Sequence, residues 1–142
     1  MKDASILIGY YNLKEFRRRK MLFRDGIHEH NYYVYLQADR VSENDLERKA
    51  LFYLLALTEE TRKNIHQLYD FENHYINFEG MQQSWQTSGS KIICKLAFNL
   101  YNSYRGEGDD SCYYITPTDL FYNDELRPYM IEALKLRYND IK

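Results

Sequence analysis

No stretch of the sequence approaches the roughly 18 unbroken apolar residues of a membrane span, and the N-terminus carries no secretory apolar core. Neither membrane insertion nor export is therefore expected. Glycine (six) and proline (two) are scarce among 142 residues, which argues against a many-turned β-sandwich or a low-complexity chain. Neither sign of charge dominates, because 19 Lys and Arg face 21 Asp and Glu. A generally basic nucleic-acid binder is thus excluded, while local patches stay open. Cysteine is limited to Cys94 and Cys112, without CxxC or zinc-type spacing. Cys94 sits in an apolar run, where a thiol acts as a small hydrophobe, so a reduced, cytoplasmic protein is the expectation. Catalytic signatures are missing too: no HExxH, no GxxxxGK[ST], no recognisable Ser/His/Asp or Cys/His arrangement. No catalytic residue, metal or cofactor is assigned, and the chain is not expected to be an enzyme.

What the chain does have is apolar and aromatic mass. Hydrophobic residues make up 44% and charged residues 28%, the balance of a chain that folds into one soluble domain. Tyrosine is the outlier, with 15 copies beside seven Phe and one Trp. Its rigid ring and polar tip suit core boundaries and binding surfaces alike. Neighbours on a helix point about 100° apart, so pairs such as Tyr10–Tyr11, Tyr32–Tyr33 and Tyr113–Tyr114 should not both face a narrow core stripe. The tyrosines are therefore expected at the core boundary; the alternative is that several form a partner-binding face.

Apolar spacing of three and four predicts an all-α, single compact domain of about five to seven helices. Residues 3–19 carry Ile6, Leu7, Tyr10, Leu13 and Phe16 on one face and end in Arg17, Arg18, Arg19 and Lys20. These four cations suit a helix C-terminus, and form a basic patch for nucleic acid or an acidic partner. Residues 1–20 are read as an N-terminal extension to a helical domain at 21–142. A helix is expected from Arg24–Asp25 to about Tyr35, with Ile27, Asn31, Val34 and Tyr35 on related faces. Ser42 and Asp45 read as a capping box for the next helix, and Thr58-Glu-Glu as a fresh N-cap. An apolar helix runs from Ser90 to Tyr101, and the acidic loop Gly106–Asp110 ends it. Thr116-Pro117-Thr118-Asp119 opens another, and the last begins near Pro128.

The strongest candidate binding region is Trp85, Gln86, Thr87, Ser88, Gly89, Ser90 and Lys91 with the helix that follows. A small-residue loop opening a helix presents backbone N–H groups at the positive dipole end, a general anion-holding arrangement. Lys91, Lys95, Asn99 and Asn102 make one polar line down that apolar helix. Trp85 could stack on a base while the lysines meet phosphates; alternatively Ser88 or Ser90 is an ordinary cap. His66, Asp70 and His74 would align for a metal only if one helix ran through all three. His28 and His30 are two apart and point to different sides of a helix.

Seven segments occur in order: Leu51–Arg62, Leu68–Phe71, Trp85–Gly89, Leu96–Leu100, Thr116–Pro117, Leu120–Phe121 and Glu132–Tyr138. Together they resemble a small bacterial domain-of-unknown-function family of Gram-positive genomes and their phages or mobile elements, over about residues 21–138. The resemblance implies a genomic setting, a small accessory protein, and assigns no functional residue. On that footing the leading expectation is a non-enzymatic protein that binds and inhibits a host defence or regulatory protein. The alternative is a protein that sequesters a nucleotide-like anion, or a nucleic-acid binder. An exposed aromatic cluster would equally serve a homodimer.

Overall fold

The computed structural model describes residues 20–106 and 115–139. In chain order the elements are α1 (Gly26–Ala38), α2 (Leu46–Leu55), α3 (Glu59–Lys63), β1 (Tyr69–Asp70), β2 (Tyr75–Ile76), α4 (Ser88–Asn102), α5 (Pro117–Leu120) and α6 (Arg127–Arg137). Short 3-10 turns lie at Ile65–Gln67 and Phe78–Gln82. The described residues thus form the expected mostly helical domain, with one small antiparallel hairpin added. The predicted helix over 3–19, Arg17, Arg18 and Arg19, Cys112 and the pair Tyr113–Tyr114 lie outside the described residues; Lys20 is exposed.

Helix α2 is the axis of the fold. From Ala50 to Leu57 every residue is at most 1% exposed, because this segment is apolar on all sides and is covered by α1, α4 and α6. Burying Leu51, Phe52, Leu54 and Leu55 this fully stabilises by about 1.5–3 kcal/mol per side chain. Arg62 closes the end of α2 by donating from Nη1 to the carbonyls of Ala56 (2.9 Å) and Leu57 (3.1 Å), which would otherwise lack partners.

The caps of α3 and α5 are the expected ones. Thr58 accepts from the backbone N–H of Thr61, and Thr116 accepts from that of Asp119, with Pro117 in the first turn. Asp25 caps α1. The cap of α2 is a correction: Asp45, not Ser42, is the N-cap, accepting from the N–H of Arg48 at 3.0 Å. Both residues can cap, but the chain at Ser42 is still turning out of α1. That turn is a Schellman motif, in which Val41 N–H reaches the Leu36 carbonyl (2.9 Å) and Arg40 N–H that of Gln37 (3.1 Å). Arg40 accordingly holds a left-handed φ of 52°. At the end of α4 the left-handed residue is Ser103 (φ 66°), so that helix stops before the glycine-rich loop expected to end it.

Two further expectations change. Tyr32 and Tyr33 are both only 1% exposed. The buried arc of α1 is wide, since His28, Tyr32, Tyr33, Tyr35 and Leu36 all pack inward, and the rings of Phe23 and Tyr53 lie against the pair. Of Ile27, Asn31, Val34 and Tyr35, only Ile27 is exposed, at 58%, while Tyr35 is buried.

Candidate functional site

The hairpin β1–β2 forms because Asp70 folds its own turn. Its Oδ1 accepts from the N–H groups of Glu72 (2.9 Å) and Asn73 (3.0 Å), and its Oδ2 from the Asn73 amide (2.9 Å). These bonds, the Asn73 side chain first, hold the Asp70 carboxyl below its usual range. Tyr69 pairs with Ile76 and Asp70 with Tyr75. His66, Asp70 and His74 therefore do not share a helix face, and the alignment considered for a metal is not formed. Among the described residues no group of three His, Cys, Asp or Glu is arranged to hold a metal ion, and no helix is long and apolar enough to cross a membrane.

Behind the hairpin lies a polar network no local pattern announces. Asp39, at the C-terminus of α1, is 5% exposed. Its Oδ1 accepts from His74 Nδ1 at 2.5 Å and its Oδ2 from the Tyr69 hydroxyl at 2.7 Å. Arg48 Nε lies 3.0 Å from the same Oδ2. Arg48 also donates to the Tyr69 hydroxyl (3.2 Å), to Asp45 (3.0 Å) and to the His74 carbonyl (3.0 Å). Burial acts against the Arg48 charge, but the bonds to Tyr69 and Asp45 outweigh it and keep the guanidinium firmly protonated. Burial pushes the Tyr69 phenol up, with Arg48 opposing and Asp39 assisting. The network fastens β1, through Tyr69, and the hairpin turn, through His74, to α1 and α2; His74 has a left-handed φ of 63°.

On this base Tyr75 of β2 and Phe78 of the 3-10 turn after it form an aromatic ridge between two clefts. Tyr75 and Phe78 are 52% and 37% exposed and border both. The first cleft, about 580 Å³, carries Arg48 over the Tyr101 ring at 5.3 Å. The second, about 860 Å³, is walled by Phe71 as well. Phe71 stacks on Phe52 at 5.6 Å and 11°, and Phe78 on Tyr104 at 4.2 Å and 19°. Phe78 is thus braced by Tyr104 and, edge-on, by the buried Phe98.

The region singled out by sequence sits elsewhere and is largely occupied with its own folding. Thr87 is the N-cap of α4, in a reciprocal box: Ser90 N–H donates to Thr87 Oγ1 (3.0 Å) and Thr87 N–H to Ser90 Oγ (2.8 Å). The cap is therefore neither Ser88 nor Ser90 alone. Gln86 accepts from Ser90 Oγ (2.5 Å) and donates to the Gly80 carbonyl (3.0 Å), while Trp85 Nε1 donates to Gln67 (2.9 Å). Ser88 is exposed. Gly89 opens onto a 420 Å³ cleft lined by four acids, Asp25, Glu59, Glu60 and Glu125, and by Arg24 and Arg62, so acidic groups outnumber basic ones there. Further along α4, Lys91 is exposed and Lys95 half-buried. Burial, then the nearby Lys91, lower the Lys95 pKa. Asn99 and Asn102 complete the polar line, but both bind Tyr104: Asn99 donates to its carbonyl (3.0 Å) and Asn102 accepts from its N–H (3.2 Å). Cys94 is fully buried, and burial raises its thiol pKa to about 12, which makes it an unreactive core residue.

The structure therefore joins Asp39, Arg48, Tyr69, His74, Tyr75 and Phe78 where sequence reasoning had marked only His74, and for another reason. The partners are distant in sequence; Asp39 and His74 are 35 positions apart. The tyrosine excess was the one signal that bore on them.

No curated protein and no solved structure matches the chain. The sequence profile of a family of unknown function does match, over residues 18–142, and the chain belongs to that family, DUF6075.

Proposed function

We propose that this protein is a non-catalytic binding module that grips a partner protein with the aromatic ridge of its hairpin. The observation that carries the reading is the exposure of Tyr75 and Phe78 between two clefts, while Tyr32, Tyr33, Tyr53 and Tyr69 are buried. Exposed aromatics beside pockets are the residues that supply most of the energy in protein interfaces. The Asp39 network anchors Tyr69 and His74, next to the ridge, and a backbone so anchored costs less to order on binding. The resemblance to accessory proteins of Gram-positive genomes and phages supports a host defence or regulatory protein as the partner, inhibited in the cytoplasm.

The test is capture from a Gram-positive host lysate with the tagged full chain, beside the Tyr75→Ala/Phe78→Ala double variant of confirmed fold. A stoichiometric partner held by the parent and lost by the variant supports the reading. Absence of any partner, or its retention by the variant, overturns it.

A second reading draws on Lys91 and Lys95, neighbouring cations on one line of α4; burial first, and Lys91 second, depress the Lys95 pKa. A nucleotide-like anion would relieve that repulsion. Thermal denaturation with millimolar nucleotides tests it, because a ligand of the native state raises apparent stability; no shift would remove this reading.

A further inference from the structure

The larger cleft beside the ridge has a composition that selects its occupant. Phe71, Tyr75 and Phe78 provide ring surface, and three acids, Asp70, Glu72 and Glu79, stand among the lining residues with one imidazole, His66. Among the described residues that line it there is no Lys or Arg. Ring faces carry negative electrostatic potential, so rings and carboxylates together favour a cation and disfavour an anion.

The protein itself contains the same combination with the cation in place. In the neighbouring cleft Arg48 lies over the Tyr101 ring at 5.3 Å and pairs with Asp45 at 3.0 Å. The larger cleft repeats ring and carboxylate without a guanidinium of its own. The Asp70 carboxylate is already bonded within its turn, but a purely hydrophobic partner would desolvate Glu72 and Glu79 with no return.

Resting on the binding reading above, we infer that the larger cleft receives an Arg or Lys side chain from an extended, basic segment of the partner protein. The stem of such a side chain would lie along Tyr75 and Phe78 while its head meets Glu72 and Glu79. A free polyamine would satisfy the charge but not the ridge, so the occupant is a protein segment rather than a small cation.

The experiment is selection of a displayed random dodecapeptide library on the full-length chain, followed by affinity measurement of the recovered peptides. Peptides enriched in Arg or Lys are expected. Exchange of that residue for citrulline or norleucine, or the Glu72→Gln/Glu79→Gln double variant of the protein, should weaken binding by about tenfold or more. Binding should also weaken with added salt. Recovery of no peptide, peptides without cation enrichment, unchanged affinity in the Gln variant, or displacement by micromolar spermidine would each overturn the inference. The two proposals fail separately: a partner captured through Tyr75 and Phe78 but indifferent to Glu72 and Glu79 would end this one alone.

Discussion

His74 Nδ1 lies 2.5 Å from Oδ1 of Asp39, a contact between the hairpin and the C-terminus of α1. The carboxylate is wholly enclosed, whereas the imidazole is half in solvent. Asp39→Asn keeps the shape but removes the charge that Arg48, Tyr69 and His74 all address. We expect a loss of about 2–4 kcal/mol in urea denaturation, since buried pairs are costly to break from one side. The loss should be accompanied by faster amide exchange in Tyr75 and Ile76. Unchanged exchange there would show that the network does not hold the hairpin.

Arg40→Gly should act in the opposite direction. Its left-handed backbone strains any side chain with a Cβ, and its N–H already makes the Schellman contact with Gln37. Relief of that strain is expected to add about 0.5–1 kcal/mol, read as a higher thermal midpoint. A lowered midpoint would mean that the Arg40 side chain contributes more than its backbone costs.

Gly80→Ala should be among the most damaging small substitutions. A Cβ there would stand 2.3 Å from the Gln67 carbonyl oxygen and 2.7 Å from Leu68 Cδ2. Backbone at that distance cannot step aside as a flexible side chain can, so about 1–3 kcal/mol of stability should be lost. Gly26→Ala, where no atom lies within 4 Å, is the control.

Acid sensitivity should trace to His28. Its Nε2 donates to the Tyr53 carbonyl (2.8 Å), and its Nδ1 accepts from Arg24 N–H (3.1 Å), so both nitrogens of the neutral ring are used. Burial is the main reason its pKa falls from 6.5 to about 4. Because the folded value is the lower one, the unfolded chain takes up the proton first. Stability is fully present above pH 6.5 and declines as pH falls toward 4, by about 3 kcal/mol. Denaturation curves at several pH values across that window should show a shallower decline for His28→Gln than for the parent. Equal slopes would assign the decline to other groups.

The helical class and two of the caps were legible because they depend on neighbours. Thr58 and Thr116 each bond a backbone N–H three residues on, and the polar line from Lys91 to Asn102 follows from helical period alone. Asp45 was displaced by Ser42 in the reading of α2 because local chemistry allowed either, and only the Schellman turn at Arg40 decided between them. The hairpin was hidden by its shortness: two residues per strand leave no alternation to detect. The network around Asp39 was hidden for a different reason. Its members come from α1, α2 and the hairpin, and nothing in the periodicity of any one segment reports on another. Tyr32 and Tyr33 misled through an assumption about width, since α1 buries more than a stripe.

Leu22 is pinned on both sides of its peptide group: its N–H donates to Glu132 Oε2 of α6 (2.9 Å), and its carbonyl accepts from the Tyr53 hydroxyl of α2 (2.6 Å). A load applied to the polypeptide ahead of this point would meet two lateral tethers before it reached the first turn of α1. Mechanical failure from that end should therefore begin as a sharp rupture of those tethers, and a Tyr53→Phe handle should give way at lower force.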